Sequence, residues 1–175
     1  MPGRIHPSAA LPIAYMTLRI LIVLNWIIGV SIVVLLVAMP TRQWIISALD
    51  LTESAQADRM IFGLQAIGAI GVIATPINDI VLKRLLAMVR TVRAGDPFVA
   101  ANAYRLQTIA WALLALQILS LIIGGIAKHV STPEHPLHVS AGFSINGWLA
   151  VLLTFLLARV FAEGTLMRED LEYTV

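Results

Sequence analysis

The chain contains no cysteine. That absence excludes thiolate nucleophiles, thiolate metal sites, iron–sulfur clusters and a disulfide framework, and it says nothing about redox compartment. Charge is scarce too. Asp, Glu, Lys and Arg make up 13% of the 175 residues, against about 25% in a soluble globular domain. Histidine is rare and none lies inside a long apolar run, so the buried axial ligands of a four-helix haem protein are missing. There is no glycine-rich phosphate loop, no HExxH and no traceable catalytic triad. Ser31 and Ser120 sit in apolar runs without a neighbouring base. The residues give an enzyme reading nothing to stand on, and no cofactor is expected.

What the chain does have is apolar surface. Apolar residues reach 59%, more than so short a chain can bury within itself. Four stretches attain the bilayer-spanning length of about 20 residues: 20–39 (closed by Pro40), 60–82, 107–127 and 145–161. The first is too long for a signal-peptide core, and Val37-Ala38-Met39-Pro40 is a poor cleavage site, so it reads as an uncleaved helix. No repeat, low-complexity tract or linker divides the sequence, and residues 1–175 read as a single integral membrane domain. The fold class expected is all-α, a four-transmembrane-helix bundle. The segment from Pro40 to Arg59 is expected to hold a short surface helix, Gln43 to Leu51. The segment from Lys128 to Gly142 carries Pro133 and Pro136 and is expected to be irregular.

Basic residues set the orientation. Arg4, Arg19, Lys83, Arg84, Arg90, Arg93, Arg105, Arg159 and Arg168 fall on one side, and Arg42, Arg59 and Lys128 on the other. This excess predicts an N-in/C-in topology, with both termini and the middle loop in the cytoplasm. Trp44 and Trp148 are placed as outer interfacial anchors.

Inside the spans, Gly68, Gly71 and Thr75 share a face and predict a close helix crossing, with Gly63 and Gly124-Gly125 as further small sites. Asn25 and Gln117 are central polar groups, each expected to bond a neighbouring helix. Asp79 follows Pro76, where a kink is expected, and precedes Lys83 by four residues, which predicts an i,i+4 ion pair. Arg19 and Arg159 are placed to snorkel. His129, His135 and His138, with Glu134, gather in the second outer segment. Imidazoles bind transition metals and titrate near neutral pH, but a solvated proline-containing loop is the plainer reading, and no metal site is assigned.

The stretch from Val81 to Ile109 is the most informative. Leu82, Leu85, Leu86 and Val89 share a helical face while Lys83, Arg84 and Arg90 point away, a basic amphipathic continuation of the second span suited to an anionic membrane surface. Gly95 is the expected left-handed cap. Asp96 reads as the N-cap and Pro97 as the first residue of the next helix, which would put Phe98, Asn102, Arg105 and Ile109 on one face. Asn102 and Arg105 are thereby placed to bond the hairpin or a partner. The result is an extended cytoplasmic helical hairpin between helices 2 and 3.

The run Val92-Arg93-Ala94-Gly95-Asp96-Pro97-Phe98-Val99-Ala100-Ala101-Asn102-Ala103-Tyr104-Arg105-Leu106 strongly resembles the signature of a bacterial membrane family catalogued as domain of unknown function 2975. The tail resembles it as well, through Val160-Phe161-Ala162-Glu163-Gly164 and Leu166-Met167-Arg168-Glu169-Asp170-Leu171-Glu172, with mild departures at Met167 and Tyr173. The resemblance implies a small four-helix inner-membrane protein, often encoded beside a helix-turn-helix regulator. It implies no activity.

Residues 163–175 form an acidic tail, with Glu163, Glu169, Asp170 and Glu172 against Arg168, while the hairpin from Lys83 to Arg105 carries five basic residues and Asp96. The two segments have opposite net charge and are expected in one compartment. They either attract each other, recruit a regulator, or are simply solvated. The function expected is a non-enzymatic signalling or regulatory membrane component. It would dock a cytoplasmic transcription regulator through Arg90, Arg93, Asn102, Arg105, Arg168, Glu169 and Asp170, with Gly95, Asp96, Pro97 and Phe98 structural. Its partners would be the bilayer, the regulator and further copies of itself, without direct nucleic-acid contact. Two other readings stand beside it: a small transporter or channel component, and an envelope metal or pH sensor using the outer histidines.

Overall fold

A computed structural model describes residues 10–38, 55–131 and 141–172. Four helices account for nearly all of them: α1 (Ala10–Ala38), α2 (Ala55–Arg93), α3 (Ala100–Val130) and α4 (Ile145–Glu172), with no strand among the described residues. All four are long and apolar enough to cross a membrane. In hydrocarbon a backbone must satisfy its own hydrogen bonds, so these Ile-, Leu- and Val-rich runs are helical despite modest intrinsic propensity. Their hydroxyls follow the same rule. Ser31, Thr75, Thr154 and Thr165 each donate to the carbonyl four residues back, Ile27, Gly71, Ala150 and Phe161.

The helices overrun the apolar stretches. α1 begins ten residues before the expected span, and α2 continues through Pro76 for 39 residues, about 58 Å at 1.5 Å per residue. The acidic tail does not leave the fold as a separate segment, because α4 continues through it to Glu172. The expected surface helix Gln43 to Leu51, together with Arg4, Arg42, Trp44, Glu134, His135 and His138, lies outside the described residues.

Contacts between helices are sequential. α1 packs on α2, α2 on α3 and α3 on α4, and among the described residues α1 and α4 do not touch. The bundle is an open row. Neighbours run antiparallel, as the pairs Gly29–Thr75, Ile32–Gly71 and Leu36–Gly68 show for α1 and α2. These pairs are the predicted close crossing: a Cβ on Gly29 would lie 2.5 Å from Thr75 Cγ2, and one on Gly68 2.9 Å from Leu36 Cδ2. Val130 of α3 fills the space over Gly63, and Gly124 abuts the backbone of Gly142. Asn25 bonds the neighbouring helix as expected, donating to the Thr75 carbonyl at 3.0 Å and accepting from Asn78 Nδ2 at 2.9 Å.

The buried core is thin. Val81, Ile109 and Ala112 form its centre, with Ile77, Leu85, Met88 and Leu113 against them, all on the α2–α3 seam. Most large apolar side chains of α1 and α4 face outward. That inside-out distribution suits helices whose apolar surface is covered by lipid. Gln117 departs from expectation. It is buried against Gly147 of α4, and its Nε2 has no hydrogen-bond partner there.

Candidate functional site

The antiparallel row brings the start of α1, the α2–α3 connector and the end of α4 to one end of the bundle. α2 stops there through its sequence. Gly95 has φ +86°, and the amides of Gly95 and Asp96 donate to the carbonyls of Val92 and Thr91, each at 3.1 Å. This is the paired 5→2 and 6→1 pattern of a Schellman cap, with glycine at the residue that must be left-handed.

The next helix starts later than expected. Residues 96–99 are not helical, α3 begins at Ala100, and its N-cap is Val99, which makes no side-chain capping bond. Asp96 is therefore not an N-cap and Pro97 not a first helical residue. Asn102 explains the delay. It has 0% exposure, and its Nδ2 donates to the Pro97 carbonyl and to Thr91 Oγ1, both at 2.8 Å. Its Oδ1 accepts from Arg105 Nη1 at 2.7 Å. One buried amide thus ties the last turn of α2, the extended connector and the first turn of α3 together. Asn102 and Arg105 bond the hairpin itself, and a fully buried Asn102 presents nothing to a partner.

The connector is also fastened to α4. Asp96 accepts from Arg168, a pair in which both side chains are nearly half exposed. Phe98 stacks on Phe161 with ring centroids 5.2 Å apart, and Gly164 passes beneath the Phe98 ring, 3.4 Å from Cδ1 to a Cβ built on it. The connector and tail do meet, but the charges are the reverse of their net charges. The tail's cation reaches the connector's acid.

A second cluster lies at the α1 corner. Arg19, Arg90 and Arg93 surround the Tyr15 ring at 5.0, 5.7 and 5.2 Å from its centroid. Nearby, Asp79 is buried yet satisfied on both oxygens. Trp26 Nε1 donates to Oδ1 at 3.0 Å, and Lys83 pairs with Oδ2 at 2.7 Å. The predicted i,i+4 pair is present. Arg84 turns away from both, over the Tyr104 ring. His129 lies in the last turn of α3, and no group of potential metal ligands forms among the described residues.

The sequence model of a family described as a protein of unknown function, DUF2975, matches residues 64–175. The chain belongs to this family. No curated protein and no solved structure matches it. The DUF2975 match begins inside α2, so α1 with Tyr15 and Arg19 lies outside it. The run that resembles the family signature falls on the connector, within the matched residues, where Gly95, Asp96, Phe98, Asn102 and Arg105 act on one another and on α4. Sequence reading missed Thr91, Tyr15 and the pairing of Phe98 with Phe161. The four-residue step from Tyr15 to Arg19 was a visible signal for the first contact of the α1 corner. Nothing in the sequence announced the others, whose partners are set by tertiary packing.

Proposed function

We propose that this DUF2975 protein is a non-enzymatic signalling or regulatory component of a bacterial inner membrane. Both termini and the α2–α3 connector would be cytoplasmic, and the connector end would dock a cytoplasmic regulator of the helix-turn-helix class. The observation that carries the reading is the interlock of Asp96 with Arg168 and Phe98 with Phe161, which fixes connector and tail helix as one surface. A surface held rigid before binding loses less entropy on association. The positive-inside count supports the cytoplasmic assignment, and the class of the partner rests on the family resemblance alone.

Topology is tested first, and the lack of native cysteine removes any background. Cysteine placed at Ser54 or Ser131 should react with an impermeant thiol reagent in intact cells, and cysteine at Ala94 should not. Labelling at Ala94 alone reverses the orientation. Docking is tested by co-purification with the adjacent regulator from detergent. Arg90→Glu with Arg93→Glu, and deletion of Arg168 to Val175, should each reduce recovery, and added salt should do the same. Undiminished recovery in both variants removes the docking reading.

A further inference from the structure

We propose that the α1–α2 corner is a binding site for an anionic phospholipid, with the headgroup phosphate held by Arg19, Arg90 and Arg93 and an acyl chain lying in the groove beneath them. A groove of about 550 Å³ runs between the two helices. Ile22, Val23, Leu86 and Ala87 wall it, and Arg19 and Arg90 stand at its rim. The apolar wall and the basic rim lie at the level where each span ends. On α1, Arg19 immediately precedes the apolar stretch 20–39, and on α2, Lys83 immediately follows the stretch 60–82, with Arg90 about two turns further out. A lipid placed with its phosphate at that level has its chains alongside the apolar walls.

Charge complementarity identifies the occupant. Three guanidinium groups converge on one tyrosine ring, and among the described residues no carboxylate pairs with any of them. Lys83, the remaining cation at the groove, is already paired with Asp79. Three like charges at close range repel one another, and a ring quadrupole offsets that only in part. A phosphodiester among them offsets part of that repulsion and matches the planar donor fork of arginine. Basic pockets between membrane helices are suited to anionic headgroups for this reason. The site needs no protein partner; it shares Arg90 and Arg93 with the docking reading, while Arg19, Tyr15 and the α1 wall lie outside the connector–tail interlock.

The test is lipid binding by the purified full-length protein in neutral detergent, read by native mass spectrometry with phosphatidylglycerol and phosphatidylcholine of identical chains. Phosphatidylglycerol should bind about tenfold more tightly or better, given three cations near one phosphate. Arg19→Gln with Arg90→Gln and Arg93→Gln should abolish that preference, and Arg84→Gln with Arg159→Gln should leave it intact. Ala87→Trp, which fills the groove and keeps every charge, should weaken both lipids. It also serves as the readout if the triple variant fails to fold. Glycerol phosphate, which lacks chains, should not compete at millimolar concentration.

Equal binding of the two lipids overturns the proposal, as does a preference that survives the triple substitution. Full competition by glycerol phosphate would make this a site for a soluble phosphate. A dimer that Ala87→Trp dissociates and headgroup charge does not affect would make the groove a contact between copies.

Discussion

Gly95 and Gly125 stand in equally open space, since a Cβ on either would meet no atom within 4 Å. Substitution by alanine should nevertheless move stability in opposite directions. Gly95 holds φ +86°, where an L side chain crowds its own carbonyl by about 1–2 kcal/mol. Alanine recovers part of this by restricting the unfolded chain, worth about 0.5–1 kcal/mol. Gly95→Ala should therefore destabilise by about 1 kcal/mol, and Gly95→Val by more. Gly95→Asn should cost least, because asparagine tolerates the left-handed region. Gly125 lies inside α3 with ordinary helical geometry, so Gly125→Ala should stabilise by about 0.5–1 kcal/mol. The assay is thermal unfolding in one detergent, followed by helical circular dichroism and by a maleimide reporter at a single introduced cysteine in the connector. The reasoning fails if both alanine variants shift the midpoint the same way. It fails equally if Gly95→Asn is no better than Gly95→Val.

Gly124→Ala is the steric counterpart. Its Cβ would sit 2.6 Å from the Gly142 Cα, and backbone cannot swing aside as a side chain can, so a loss of about 1–3 kcal/mol is expected in the same assay. Asn102→Leu should cost about 2–3 kcal/mol by removing two donors and stranding Arg105 over an apolar group. A near-neutral result would show that the buried amide does not hold the connector. Asp96→Ala should cost only about 0.2–1 kcal/mol, through loss of the half-exposed pair with Arg168. In a double-mutant cycle this cost should vanish once Arg168→Ala is present. A cost of about 1 kcal/mol that persists there would restore Asp96 as a helix cap.

The four membrane-length helices, the end of α2 at Gly95, the Asp79–Lys83 pair and the small-residue crossing at Gly68, Gly71 and Thr75 were all legible in the chain. Each is a local property. A helix in lipid closes its own hydrogen bonds, a left-handed turn wants glycine, and residues three or four apart share a face whatever lies opposite. Local chemistry misled at the start of α3. Asp96-Pro97 has the composition of a helix start, yet α3 begins at Ala100 because Asn102 draws the Pro97 carbonyl and Arg168 draws the Asp96 carboxylate. Periodicity says which residues share a face and not which residues that face will meet. Thr91 beneath Asn102, Phe161 against Phe98 and the arginines around Tyr15 depend on the register between antiparallel neighbours. That register is set by many small packing contacts along the full length of each helix, such as Leu36 over Gly68 and Val130 over Gly63. The open row, with α1 and α4 at its two edges, is decided at the same level, since identical apolar stripes could equally have closed into a ring.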